Sequence, residues 1–198
     1  MRYAATTGTG RGAGWLGGWL LLLWLLAPPL PAAEAVPRFQ VRDLNTELRD
    51  GVYRLDANIV FPLSAPVKEA LENGVPLVFE LQMEVIRPRD WLWDETLAAL
   101  SLRYRLRYHA LSERYVLENL STGVRQSYPS LNEALYRLGT LRDFPLLDRQ
   151  LLPSGGTFLA RLRAVLDIEA LPTPLRVMAY VSRAWWLGSD WYQWQLEP

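Results

Sequence analysis

The chain has no cysteine, one histidine (His109) and one lysine (Lys68) among its 198 residues. Each shortage removes chemistry. Without cysteine there is no disulfide staple, no thiolate nucleophile and no cysteine-ligated metal. In an oxidising compartment the apolar core alone must then hold the fold. A lone histidine excludes a two-histidine zinc site within one chain. No G-x-S-x-G occurs, so His109 has no nucleophile elbow to serve in a serine triad, and at a strand end beside a turn it reads as a surface group. Net charge is missing as well, because 21 basic and 21 acidic residues cancel. That balance exerts no long-range pull on nucleic acid, and no nucleic-acid partner is expected. Gly8, Gly10, Gly12 and Gly14 look like part of a phosphate loop, but no strand precedes them and no helix follows.

What the chain does have is apolar bulk, half of its residues. The first block of it is an address. Arg2 and Arg11 precede the run from Trp15 to Ala27, Pro28-Pro29 ends it, and Ala33-Glu34-Ala35 follows. A basic start, an apolar middle and a small-residue A-x-A end are the parts of a secretory signal peptide. Residues 1–35 are therefore expected to be a cleaved leader and residues 36–198 a single β-rich domain in the periplasm. Removing Arg2, Arg11 and Glu34 leaves 19 basic and 20 acidic residues. The alternative is an uncleaved leader that tethers the protein to the inner membrane, which is the one membrane contact expected. The run is shorter than the ~20 residues of a full span.

Strand signals dominate the rest. Phe39–Leu48 and Val52–Phe61 flank Asp50-Gly51, a two-residue hairpin turn that pairs Leu48 with Tyr53 and Glu47 with Arg54. Leu77–Ile86 alternates, as do residues 101–109, where Leu102, Tyr104, Leu106 and Tyr108 interleave with Arg103, Arg105, Arg107 and His109. A turn at Leu111-Ser112 pairs Tyr108 with Tyr115 and Arg105 with Glu118. Phe158–Ile168, Leu175–Val181 and Trp191–Leu196 read as further strands, and the stretch through Pro145 and Pro153 as a loop. Two helices are expected. Ser64 caps one with Val67, Ala70 and Leu71 inward; Ser130 and Glu133 form a capping box for one with Leu131, Ala134, Leu135 and Leu138 inward. One-sided alternation points to antiparallel sheets. The predicted fold is mainly β, an antiparallel β-sandwich or a strongly curved sheet with two short capping helices.

Three stretches carry a likeness. Leu106-Arg107-Tyr108-His109-Ala110-Leu111-Ser112-Glu113-Arg114-Tyr115, then Tyr128-Pro129-Ser130-Leu131-Asn132-Glu133-Ala134-Leu135, and Ser189-Asp190-Trp191-Tyr192-Gln193-Trp194 resemble a family of exported proteobacterial proteins. It is catalogued as a domain of unknown function, number 4390. The likeness covers nearly all of residues 38–197. It implies no catalytic residues, because none are defined for the family. Its members often lie beside genes for a sensor kinase of the nitrogen-regulation type. The resemblance thus implies an envelope-sensing role, with an envelope protein or the periplasmic domain of a sensor kinase as partner.

Four constellations are candidates for function. The row Arg103, Arg105, Arg107 suits an anion, but Glu80, Glu84 and Glu118 at matching spacing favour a neutralised, solvated sheet face. Asp90, Asp94 and Glu95 surround Trp91 and Trp93, an arrangement that suits a sugar or cell-wall polymer and a carboxylate-based hydrolase. It equally suits a loop packed on a sheet edge. Trp91, Trp93, Trp185 and Trp186 are the candidate partner surface, since large rings on successive positions cannot all face one core. The Asn119-Leu120-Ser121 sequon is idle in a bacterium. No cofactor, metal or catalytic residue is assigned, and a non-enzymatic binding or interaction module in the envelope, accessory to a sensor or to envelope assembly, is the expectation.

Overall fold

The computed structural model describes residues 36–89, 91 and 93–197; the expected leader lies outside them. The chain opens on a hairpin, β1 (Gln40–Arg49) and β2 (Val52–Val60). Asp50 and Gly51 both take positive φ, 51° and 78°, as a turn matching the strand twist requires. That turn sets the register, so Leu48 faces Tyr53 and Glu47 faces Arg54 as the sequence predicts. Tyr53, Leu55, Ala57, Ile59 and Phe61 all point inward and are buried.

Helix α1 (Ala65–Glu72) carries the chain from this hairpin to the second sheet, burying Val67, Ala70 and Leu71. Ser64 precedes it but makes no side-chain cap; its Oγ donates instead to the Ala184 carbonyl at 2.6 Å. Next come β3 (Leu77–Arg87), β4 (Glu95–His109), β5 (Arg114–Asn119) and β6 (Arg125–Tyr128), each antiparallel to the one before. Helix α2 (Leu131–Gly139) then returns the chain to the first sheet. Ser130 Oγ accepts from the Glu133 amide at 3.2 Å, half of the expected capping box. Gly139 is the last residue of the helix, and nothing larger fits there: a Cβ would lie 1.9 Å from the Ile59 carbonyl oxygen.

β7 (Thr140–Asp148) pairs with the free edge of β2, and β8 (Leu159–Leu166) with the free edge of β3. Helix α3 (Thr173–Val181) and the strand β9 (Tyr192–Gln195) complete the chain. The result is a three-stranded sheet of order β1-β2-β7 and a six-stranded sheet of order β6-β5-β4-β3-β8-β9, both antiparallel. Their inner faces share one buried cluster, with Phe39, Phe61 and Phe79 stacked edge to face at its centre. The protein is mainly β, with the sheets arranged as in a sandwich; α1 and α2 make two of the three crossings between them, and residues 149–158 make the third, from β7 to β8.

The structure corrects several expectations. The described residues hold three helices, not two, because 173–181 is a helix and not a strand. Its segment is rich in valine and alternates locally, which reads as strand. Pro174 in the first turn suits a helix start, however, and Ala179 is buried and Leu175 half-buried while Val177 and Val181 face out. The stretch expected as a loop through Pro145 contains β7. Its pattern is broken by two register shifts against β2 and by Asp143 at φ 48°, so no clean period of two survives in the sequence. β4 also begins earlier than predicted, at Glu95.

Candidate functional site

The outer face of the six-stranded sheet collects the charged members of each alternating strand. Arg103, Arg105 and Arg107 share it with Glu80, Gln82 and Glu84 on β3, and Arg161 and Arg163 on β8. Most of these charges have partners, while Arg107 makes no ion pair among the described residues. Glu118 accepts from Arg125 at 2.7 Å and from Arg105 at 3.0 Å. Those partners, Arg125 foremost, hold its carboxyl below the usual carboxylate range. Glu84 accepts two bonds from Arg161, at 2.5 and 2.8 Å, and Gln82 one from Arg163 at 2.6 Å. Both of those arginines stack on the Trp191 ring, 4.7 and 4.5 Å from its centre. Arg103 lies directly opposite Glu80, yet it pairs with Asp167, while Glu80 accepts from Ser101 and Gln82. This is a cross-linked, solvated face and not an anion pocket.

The catalytic candidates are dispersed. His109 is exposed at the end of β4, with only the Ser112 hydroxyl near its ring, at 3.5 Å. Glu95 closes the base of the β3–β4 hairpin, where it accepts from Arg89 at 2.5 Å and lies 3.5 Å from Arg87. Asp94 is exposed, and Asp90 lies outside the described residues. Among the described residues no three histidines or carboxylates gather as metal ligands.

The tryptophans divide sharply. Trp91 and Trp93 sit on the seven-residue connection between β3 and β4, 96% and 93% exposed. Their stem is a long antiparallel ladder with one register shift, between Val85 and Ile86. β3 and β4 pair from Leu77–Leu106 to Arg87–Glu95, Arg87 stacks on Phe158, and Glu95 ties both arginines to the hairpin base. Trp185 and Trp186 point opposite ways. Trp185 is only 4% exposed and belongs to the core, so the expected exposed pair reduces to Trp186. Trp186 is more than half exposed, and its Nε1 donates to the Ala179 carbonyl at 2.9 Å. It also borders a groove of about 470 Å³ with Val36, Arg38, Arg183 and Asp190, bridged by an Arg38–Asp190 ion pair of 2.9 Å. A second groove, of about 280 Å³, runs past Tyr104, Leu117, Asn119 and Gln126. Burial there pushes the Tyr104 hydroxyl up.

One surface escaped the sequence reading. Pro174, Val177, Met178 and Val181 stand exposed along α3, at the i, i+3, i+4, i+7 spacing of a single helical stripe. The spacing is visible in the sequence only once the segment is known to be helical.

No curated protein and no solved structure is detectably similar to the chain. A family model does match. It spans residues 36–195, from the first described residue to the end of β9, and so takes in both sheets, all three helices and the tryptophan hairpin. By that match the chain belongs to the family described as a domain of unknown function, DUF4390.

Proposed function

We propose that residues 36–198 form an exported, non-catalytic contact module of the cell envelope that engages a protein partner through the tip of the β3–β4 hairpin. One observation carries this reading: two tryptophans, two residues apart, lie almost wholly in solvent at the end of a paired two-strand stem. The fold gains little from them there, since ring surface stabilises only when it leaves water. A partner that buries both rings would gain from each, and aromatic anchors of this kind dominate binding energy. Export rests on the leader, with its arginines, its apolar run and its Ala33-Glu34-Ala35 end. The partner class is an envelope protein, and the family resemblance points to the periplasmic domain of a sensor kinase. The paired charges of the outer sheet face and the exposed His109 offer catalysis little foothold.

Two measurements test the reading. Mass spectrometry of the chain made in a bacterial host should find a terminus at Val36 in the periplasmic fraction. An intact Met1 on protein that stays with the inner membrane after salt washing would overturn cleavage. A photo-reactive residue in place of Asp94 should form a discrete adduct with an envelope protein, and Trp91→Ala/Trp93→Ala should abolish it. An adduct indifferent to the two substitutions, or none, refutes the tip as the contact.

A further inference from the structure

We propose that α3 rests on the surface of a lipid bilayer, with Pro174, Val177, Met178 and Val181 immersed at the boundary of head groups and acyl chains. This goes beyond the hairpin contact, from which it is physically separate. The stripe is unpartnered. Only Ala179 of the helix is buried, while Val181 is 85% exposed and Val177, Met178 and Tyr180 are about half exposed or more. Trp186 stands beside it, bonded to the last turn through the Ala179 carbonyl. Aromatic rings with one polar edge suit the interfacial layer.

Two further observations select lipid over a second protein. The first is charge. Residues 170–189 contain Arg176 and Arg183 and no aspartate or glutamate. Just outside that span Glu169 accepts from the Tyr180 hydroxyl and Asp190 pairs with Arg38, and Arg176 is bonded to the Leu171 carbonyl. Arg183, however, makes no ion pair among the described residues and is the cation that an anionic head group can meet beside the stripe. The second is where the chain comes from. Val36, the first described residue, lines the groove shared by Arg183 and Trp186. Residues 28–35 alone separate it from the apolar run ending at Ala27. Even fully extended, that stretch spans about 30 Å. On the exported reading, Val36 is held within that distance of the bilayer until the leader is cut, and the apolar surface beside it at that stage is α3 with Trp186.

The topology puts the two surfaces at opposite ends of the large sheet. The Asp167 amide donates to the Val78 carbonyl, and the turn at 168–170 packs on α3, so the helix lies by the start of β3. Trp91 and Trp93 follow the end of β3, eleven residues on, or about 36 Å at 3.3 Å per residue. With α3 on the membrane, the hairpin tip is presented away from it.

The absence of cysteine makes the test clean, because a single introduced thiol is unique. Full-length chains carrying Val177→Cys, Val181→Cys, Asp94→Cys or Arg107→Cys are purified as the cell processes them and labelled with an environment-sensitive dye. They are then mixed with vesicles of phosphatidylethanolamine and phosphatidylglycerol bearing a lipid-linked quencher. Labels at 177 and 181 should shift to the blue and lose about half of their emission or more, and those at 94 and 107 should stay aqueous. Vesicles of phosphatidylcholine alone should give a weaker effect, since their surface carries no net negative charge for Arg183. The proposal is overturned if the α3 labels stay aqueous while the protein is vesicle-bound, or if nothing binds. It is also overturned if those labels shift without lipid in a concentration-dependent way, which would make α3 a contact between copies. Quenching at 94 instead would assign lipid to the tip and refute both this proposal and the protein partner there; quenching at 177 and 181 leaves that partner to be tested separately.

Discussion

Adjacent tryptophans with opposite fates permit a direct comparison. A tryptophan side chain buries 150–250 Å² when fully enclosed. From their exposure, Trp91 and Trp93 together hide only about 30 Å², about 0.7 kcal/mol at 25 cal/mol per Å². Trp185, at 4% exposure, hides nearly its whole ring among core residues. Its truncation leaves a cavity and should cost about 3–5 kcal/mol. For a domain of this size 1 kcal/mol moves the melting temperature by about 2–4 °C. Trp91→Ala/Trp93→Ala should therefore melt within about 3 °C of the wild type, and Trp185→Ala lower by about 6–20 °C. Circular dichroism melts give the first readout and intrinsic fluorescence the second. The tip variant should lose red-edge, solvent-exposed emission, whereas Trp185→Ala should lose blue emission. If the double variant melts as low as Trp185→Ala, the hairpin tryptophans are packed and the contact surface does not exist.

Three more outcomes follow from named contacts. Gly139→Ala drives a methyl into the Ile59 carbonyl of the central strand β2, which neighbours on both sides prevent from yielding; it should cost about 3 kcal/mol or more in urea titration, whereas Gly74→Ala, in open space, should cost less. Ser64→Ala removes the bond to the Ala184 carbonyl that ties the start of α1 to the turn before Trp185, and should lower stability by about 1 kcal/mol in the same titration. Glu118 has a lowered carboxyl pKa in the fold, so its contribution is complete above the ordinary glutamate value of about 4.3 and is lost as pH falls through the lower folded value. The gap in melting temperature between wild type and Glu118→Gln should accordingly be full near neutrality and close in acid, and a gap that widens in acid would refute the assignment.

Much of the architecture was legible because short-range physics sets it. A period of two with a demanding turn leaves one register, and Asp50-Gly51 and the turn after His109 place Leu48 against Tyr53 and Arg105 against Glu118. The stripe of α2 was equally plain. What failed was decided at long range. β7 has no clean alternation, and it is a strand because β2 offers an open edge. The segment 173–181 has strand-like composition, and it is a helix because its prolines start a turn and Ala179 finds a surface to pack on. Arg103 was rightly expected beside Glu80, but its ion-pair partner is Asp167, which strand order alone brings within reach.

The same division runs through the candidate site. Composition by itself excluded thiol chemistry and a two-histidine zinc site, and the leader pattern by itself pointed to export. The sequence also showed that Trp185 and Trp186 cannot share one face of an extended segment. It did not show which of them goes inside, because that choice belongs to the short 183–185 turn packed on α1. Nor did it show that Trp91 and Trp93 stand clear of the sheet. Exposure is a property of what does not fold back over a residue, and only the assembled tertiary structure contains that information.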